Sequence, residues 1–125
     1  MTYRIVVTPL ARDMLVAIAD RRVKQLIAKR IDGLTNEPNQ QGKSLVGPLK
    51  GYRSIRAAGQ RYRIIYQVNM GQALVFVLTV GIRKEGAKQD IYTLAQKLFR
   101  SGLLESPKLR QPRKKPRKSR GTGGT

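Results

Sequence analysis

Arg53, Arg56, Arg61, Arg63 and Arg83 fall on or beside segments that otherwise read as buried strands, and a tyrosine, Tyr92, follows the last of them. Arginine is rarely buried without a partner. Its planar fork binds phosphate in a bidentate way and keeps its charge at physiological pH. Guanidinium groups at strand positions therefore point to a sheet face that meets an anion, and the anion expected is RNA phosphate. The chain has no histidine and no cysteine. Their absence removes the commonest general acid/base and the commonest transition-metal ligand, together with thiolate sites and disulfides. Chemistry falls to Arg, Lys, Tyr, Ser, Thr, Asp or Glu, and no metal or cofactor is expected. The glycines near the C-terminus lack the strand–loop–helix setting of a phosphate-cradling loop.

Charge supports the same reading. The 125 residues hold 26 Lys and Arg against 7 Asp and Glu, a formal net charge of +19. Residues 1–103 carry 18 basic and 6 acidic side chains, and residues 104–125 carry 8 basic and 1 acidic. The excess is not a property of the tail alone. Such a charge favours polyanions and fast, salt-sensitive association. Nucleic acid ranks ahead of an acidic protein or anionic lipid, though an acidic partner can coexist with it. No run approaches the roughly 20 apolar residues of a membrane span, so no membrane role is expected. No leader is visible, and a cytoplasmic location is expected.

The elements that must carry the arginines read as follows. Residues 3–8 alternate and are β-branched, a short strand. Thr8 then Pro9 make a helix start, and Asp20 can cap a second helix. Leu10, Met14 and Ile18, then Val23, Leu26, Ile27, Ile31 and Leu34, follow helical spacing, giving a helical hairpin over 9–34. Residues 36–47 read as a loop. Residues 51–57, 61–68 and 73–83 read as three strands with short turns, an antiparallel meander. Tyr62 and Tyr66 belong to its core, and the third strand is apolar enough to be central. Residues 84–88 read as a charged loop. Ile91, Leu94, Ala95, Leu98 and Phe99 form the apolar stripe of a last helix. The order β-α-α-β-β-β-α, with the hairpin covering one face of the meander, makes an α+β domain over 1–103. Residues 104–125 are poor in apolar side chains and are expected to be a disordered basic tail with non-specific nucleic-acid affinity.

The segments LeuLysGlyTyrArgSerIleArg (49–56), ArgTyrArgIleIleTyrGlnVal (61–68), PheValLeuThrValGlyIleArgLys (76–84) and AspIleTyrThrLeuAla (90–95) occur in an order that resembles the RelE/ParE superfamily of type II toxin–antitoxin toxins. The Thr8-x-x-Ala11-x-x-x-Leu15 helix start is similar too, and the resemblance spans residues 3–99. It implies the family fold and, on the RelE-like branch, a metal-independent endoribonuclease, an mRNA interferase acting on the ribosome with translated mRNA. It also implies an antitoxin, which the charge of this chain requires to be acidic. By that resemblance Arg63 matches the phosphate-binding arginine, Arg83 the arginine ending the last strand, and Tyr92 the tyrosine of the C-terminal segment. This chain departs from the pattern at Ser54, where a catalytic lysine would stand, with Arg53 alongside. Arg61 is extra, from a turn one residue longer.

RNA cleavage by the 2′-hydroxyl needs a base, an acid for the leaving 5′-oxygen and cations for the phosphorane charge. Arg63, Arg83 and Tyr92 are the candidate catalytic residues; Arg53, Arg56 and Arg61 are candidate RNA phosphate contacts. Tyrosine serves as a base only beside cations, and its ring can instead stack on a nucleobase. Both roles stay open for Tyr92. Two other functions compete. A ParE-like inhibitor of DNA gyrase would share the fold without RNA chemistry, and Ser54 favours it. A non-catalytic basic nucleic-acid-binding protein would make use of the tail.

Overall fold

The computed structural model describes residues 2–84 and 90–102. The expectations for residues 85–88 and for the tail at 104–125 lie outside them. Strand β1 (Arg4–Val7) leads into α1 (Pro9–Val16) and α2 (Arg21–Asp32). Both helices start where hydroxyl and carboxylate caps allow. The Thr8 side chain accepts from the Ala11 amide, with Pro9 in the first turn, and the Asp20 side chain accepts from the amides of Arg22 and Val23. Each cap satisfies an N–H that the first turn leaves unpaired. Then come β2 (Lys43–Ser44), β3 (Arg53–Ala57), β4 (Tyr62–Asn69), β5 (Leu74–Ile82) and α3 (Ile91–Arg100).

The sheet order is β1-β5-β4-β3-β2. The meander β3-β4-β5 is antiparallel as expected, and β1 adds to β5 in parallel, which puts the apolar β5 near the middle. The 36–47 segment differs from a plain loop: Lys43 and Ser44 pair with Ser54 and Arg53 as an edge strand. Two polar residues without alternation give no strand signal in sequence; pairing with β3 creates it.

The sheet is covered on both faces. On one, Ala11, Ile27, Ile31 and Leu34 pack with Ile55, Ile64, Tyr66, Val75, Val77 and Val80. On the other, Leu49, Tyr52, Ile65, Phe76 and Leu78 pack with Ile91 and Ala95 of α3. The helical hairpin thus covers one face, and α3 with its apolar stripe covers the second. Tyr66 is fully buried, while Tyr62 is half-buried.

One irregularity in β5 matters for the site. Ile65 pairs with Thr79 but the next residue, Tyr66, pairs with Val77, so Leu78 is an extra residue. A bulge of this kind shifts the alternation of everything after it. Leu78 lies in the α3-side core, yet Val80, two residues on, lies in the α2-side core. Gly81 therefore faces α3, where a Cβ would lie 2.7 Å from Ile91 Cδ1. The bare backbone at Gly81 lets the first turn of α3 rest on the end of β5.

Gly42 is a second position that requires glycine. Its φ is +64°, and a Cβ there would lie 2.3 Å from the Ser54 carbonyl oxygen. Gly42→Ala is expected to lower unfolding stability by at least about 2 kcal/mol through strain and overlap. An unchanged urea midpoint for that variant would contradict the close approach.

Candidate functional site

Strand β2 pairs with β3 only as far as Ser54. The edge of β3 beyond it is left open, and a cleft of about 520 Å³ lies there. Gln41, Gly42 and Lys43 form one side, and Arg30 reaches it from α2. Ser54, Ile55, Arg56 and Arg63 come from the sheet, and Tyr92 from α3. No Asp or Glu lines it among the described residues.

Arg56 and Arg63 are directly opposite each other across β3 and β4. Side chains so paired share a face with Cβ atoms roughly 5 Å apart, and like charges there repel. Arg63 Nη1 donates to the carbonyls of Gln60 at 2.6 Å and Tyr62 at 3.2 Å, which fixes its guanidinium near the turn. Arg56 is exposed and makes no side-chain hydrogen bond or ion pair among the described residues. The pair has the geometry and the unmet charge for a phosphate group.

Tyr92 is held from two sides. Its hydroxyl lies 2.6 Å from Ser54 Oγ, and the Arg83 guanidinium carbon lies 4.7 Å from its ring centroid. Arg83 Nη1 in turn donates to Asp90 Oδ1 at 2.7 Å. Asp90 caps α3: Oδ1 also accepts from the Lys84 amide, and Oδ2 accepts from the amides of Tyr92 and Thr93. The Asp90 residue is 1% exposed. Burial pushes its carboxyl up, but the Arg83 hydrogen bond, the Lys84 and Thr93 amides and the Arg83 charge outweigh burial and hold it below its ordinary value. An ionised Asp90 thus orients Arg83, which stacks on Tyr92, which touches Ser54.

The sequence-derived residues separate into three groups. Arg56, Arg63 and Tyr92 meet in the cleft, with Arg83 beside it through Tyr92. Arg53 pairs with Tyr66 and so lies on the α2 side of the sheet. Its Nε and Nη2 donate to the Gln41 carbonyl at 3.2 and 3.0 Å, and its Nη1 to Ser44 Oγ at 2.8 Å. That carbonyl also accepts from the Tyr66 hydroxyl at 2.7 Å. Arg53 therefore fastens the 36–44 segment to the sheet; burial raises the Tyr66 phenol, with Arg53 opposing. Arg61 is exposed, is not among the cleft residues, and contributes its carbonyl to the Arg83 amide. Sequence reasoning missed Arg30, Lys43 and Asp90. The position of Asp90 immediately before the α3 apolar stripe is a capping signal that would have found the last of these.

No group of three or more Asp or Glu that could hold a metal occurs among the described residues. No helix among them is long and apolar enough to cross a membrane.

Among solved structures, the chain is similar to the RelBE2 toxin–antitoxin complex of Mycobacterium tuberculosis, with 27% identity and a TM-score of 0.60 over 66% of this chain and 100% of that one. It is similar in fold to a free-state variant of E. coli RelE (20% identity, TM-score 0.60, 80% of this chain and 98% of that one). It is similar in fold, too, to the chromosomal ParDE system of P. aeruginosa (20% identity, TM-score 0.52, 63% of this chain and 94% of that one). No curated protein sequence matches it. The family model for the ParE toxin of type II toxin–antitoxin systems matches residues 5–87, about two thirds of the chain. With the five-stranded mixed sheet and its three helices in place, that match identifies the chain as a member of the RelE/ParE superfamily of type II toxin–antitoxin toxins.

Proposed function

We propose that the protein cleaves mRNA on the ribosome, with the RNA backbone in the cleft at the open edge of β3. The observation that carries this reading is the Arg56–Arg63 cross-strand pair in a cleft free of carboxylates among the described residues. The substrate 2′-oxygen attacks its own phosphorus and loses its proton to a base. The 5′-oxygen leaves and gains a proton, giving a 2′,3′-cyclic phosphate and a 5′-hydroxyl. Arg56 and Arg63 neutralise the charge on the equatorial oxygens, where a prealigned cation costs no reorganisation. Arg83 adds positive potential behind Tyr92. Tyr92 meets the RNA as proton acceptor or as stacking surface. Arg53 and Arg61 act outside this centre, Arg53 by holding the 36–44 segment and Arg61 as a peripheral backbone contact for RNA.

The partner is an acidic antitoxin whose chain covers the arginine face or displaces α3; similar toxins are solved in complex with antitoxins. The basic tail at 104–125, beyond the toxin domain at 1–103, adds non-specific nucleic-acid affinity. The site of action is cytoplasmic, where translated mRNA is found. Induction in cells, followed by mapping of 5′ ends on translated mRNA, is expected to show new ends within open reading frames.

A second reading is ParE-like inhibition of DNA gyrase. The ParE family model and the presence of Ser54 at the lysine position favour it. Inhibition of supercoiling by purified protein, with no new mRNA ends, would decide for it. Unimpaired growth on expression of the folded protein without antitoxin would instead indicate a non-catalytic nucleic-acid-binding protein.

A further inference from the structure

We propose that Ser54 is a positioning residue for the cleft: its hydroxyl fixes Tyr92 in the orientation in which the tyrosine meets RNA. The inference rests on the proposed function for its kinetic consequence and on geometry alone for its structural one.

Ser54 is 3% exposed and lies on β3, held between β2 and β4. A serine on a strand paired on both sides is a rigid anchor, since its Cβ direction is set by the sheet. Tyr92 is half-buried and sits in the first turn of α3, which is tied down by the Asp90 cap. Two rotatable bonds separate its ring from that turn. Two contacts remove this freedom: Arg83 against one face of the ring, at 4.7 Å, and Ser54 at the hydroxyl, at 2.6 Å. Arg83 belongs to the chain just past β5, so the ring is referenced to both β3 and β5. With one ring face taken by Arg83, the opposite face is the one available to a substrate base.

Identity at position 54 sets what Tyr92 can do. A lysine there would bring a cation and a long side chain to a site where the present serine has a 3% exposed environment and a direct bond to the phenol. With serine, position 54 brings no cation to the cleft and instead holds the aromatic ring by its hydroxyl. Arg56, one residue beyond Ile55 on the same face as Ser54, supplies positive charge two positions along the strand.

The test uses the full chain with Ser54→Ala, Ser54→Thr and Tyr92→Phe. Tyr92 nitration by tetranitromethane, read by mass spectrometry of the tryptic peptide that contains it, is expected to rise about threefold to tenfold in Ser54→Ala, the range set by one net hydrogen bond. Ser54→Thr, which keeps the hydroxyl, is expected to restore the wild-type rate. In cleavage of ribosome-bound mRNA, Ser54→Ala should lower kcat by a similar factor with KM little changed. Adding Ser54→Ala to Tyr92→Phe should lower it no further, because both remove the same bond. Unchanged nitration in Ser54→Ala, or a Ser54→Thr variant indistinguishable from Ser54→Ala, would overturn the proposal. If the wild-type protein cuts no mRNA, the proposed function fails, while the nitration series still decides whether Ser54 positions Tyr92. Should Ser54→Ala not fold, Ser54→Val, which has the shape of threonine without its hydroxyl, carries both arms, with the same expected rise in nitration and fall in kcat relative to Ser54→Thr, and equality of the two variants overturns the proposal.

Discussion

Arg63→Ala is expected to reduce cleavage of ribosome-bound mRNA by about 10²–10³-fold, the loss typical of removing one prealigned donor to a transition-state oxygen. The protein should remain folded, because Arg63 is half-buried at the start of β4 and its two hydrogen bonds go to the nearby carbonyls of Gln60 and Tyr62. Its neighbour separates function from stability more sharply. Arg56 is exposed and opposes Arg63 across the ladder. Arg56→Ala removes a like-charge pair, so its melting temperature should hold or rise while activity falls. The relief is about 0.2–1 kcal/mol. Because the two guanidinium groups meet one anion, the double variant should lose less activity than the product of the single losses. Rates measured against salt should show a shallower dependence for each variant. If cleavage survives Arg63→Ala and Arg83→Ala undiminished, the phosphate-binding scheme is wrong.

The largest stability effect is expected at Asp90. Asp90→Ala removes the α3 cap, the partner of Arg83 and the acceptor of the Lys84 amide together. A loss of about 2–4 kcal/mol follows from the value of a cap together with that of a charge-assisted hydrogen bond to Arg83. Asp90→Asn should fall between Ala and wild type, since it keeps an acceptor and loses the charge. The sign of the pH effect is fixed by the direction of the shift. Asp90 is held below its unfolded value, so its contribution is present above the unfolded carboxylate range near ~4 and is lost as pH falls through the folded value. Wild type should therefore lose stability more steeply than Asp90→Asn below about pH 4, measured by urea denaturation at stepped pH. Parallel curves for the two proteins would show that Asp90 does not hold its charge as described.

The fold was largely legible because its signals are local. Thr8-Pro9 and Asp20 mark helix starts by capping chemistry, and β4 shows Tyr62, Ile64, Tyr66 and Val68 at every second position of one face. Strand β2 was not legible: Lys43 and Ser44 acquire strand geometry only from β3. The site was legible in part. Arg56 and Arg63 follow from alternation on β3 and β4 together with the turn that puts them opposite each other. Arg53 is an odd number of residues from Arg56, so it faces the other side, where it binds the Gln41 carbonyl; residue type alone had grouped the two. Arg30 and Lys43 reach the cleft from separate elements, and the Ser54–Tyr92 contact spans 38 residues. Proximity of that kind is set by tertiary packing, which residue type and spacing do not encode.

The extra residue at Leu78 has a consequence for how such a sheet can change over generations. Alternation makes a strand's two faces a matter of counting, and one inserted residue restarts the count. In β5 the restart falls between the stretch paired with β1 and the stretch leading to Gly81 and Arg83. Deleting Leu78 would leave the first stretch in register and send Arg83 to the α2 side, away from Asp90 and Tyr92. The strand therefore consists of two stretches that meet at a single codon: the first is registered against β1, and the second sets where the start of α3, and with it Tyr92, rests on the sheet.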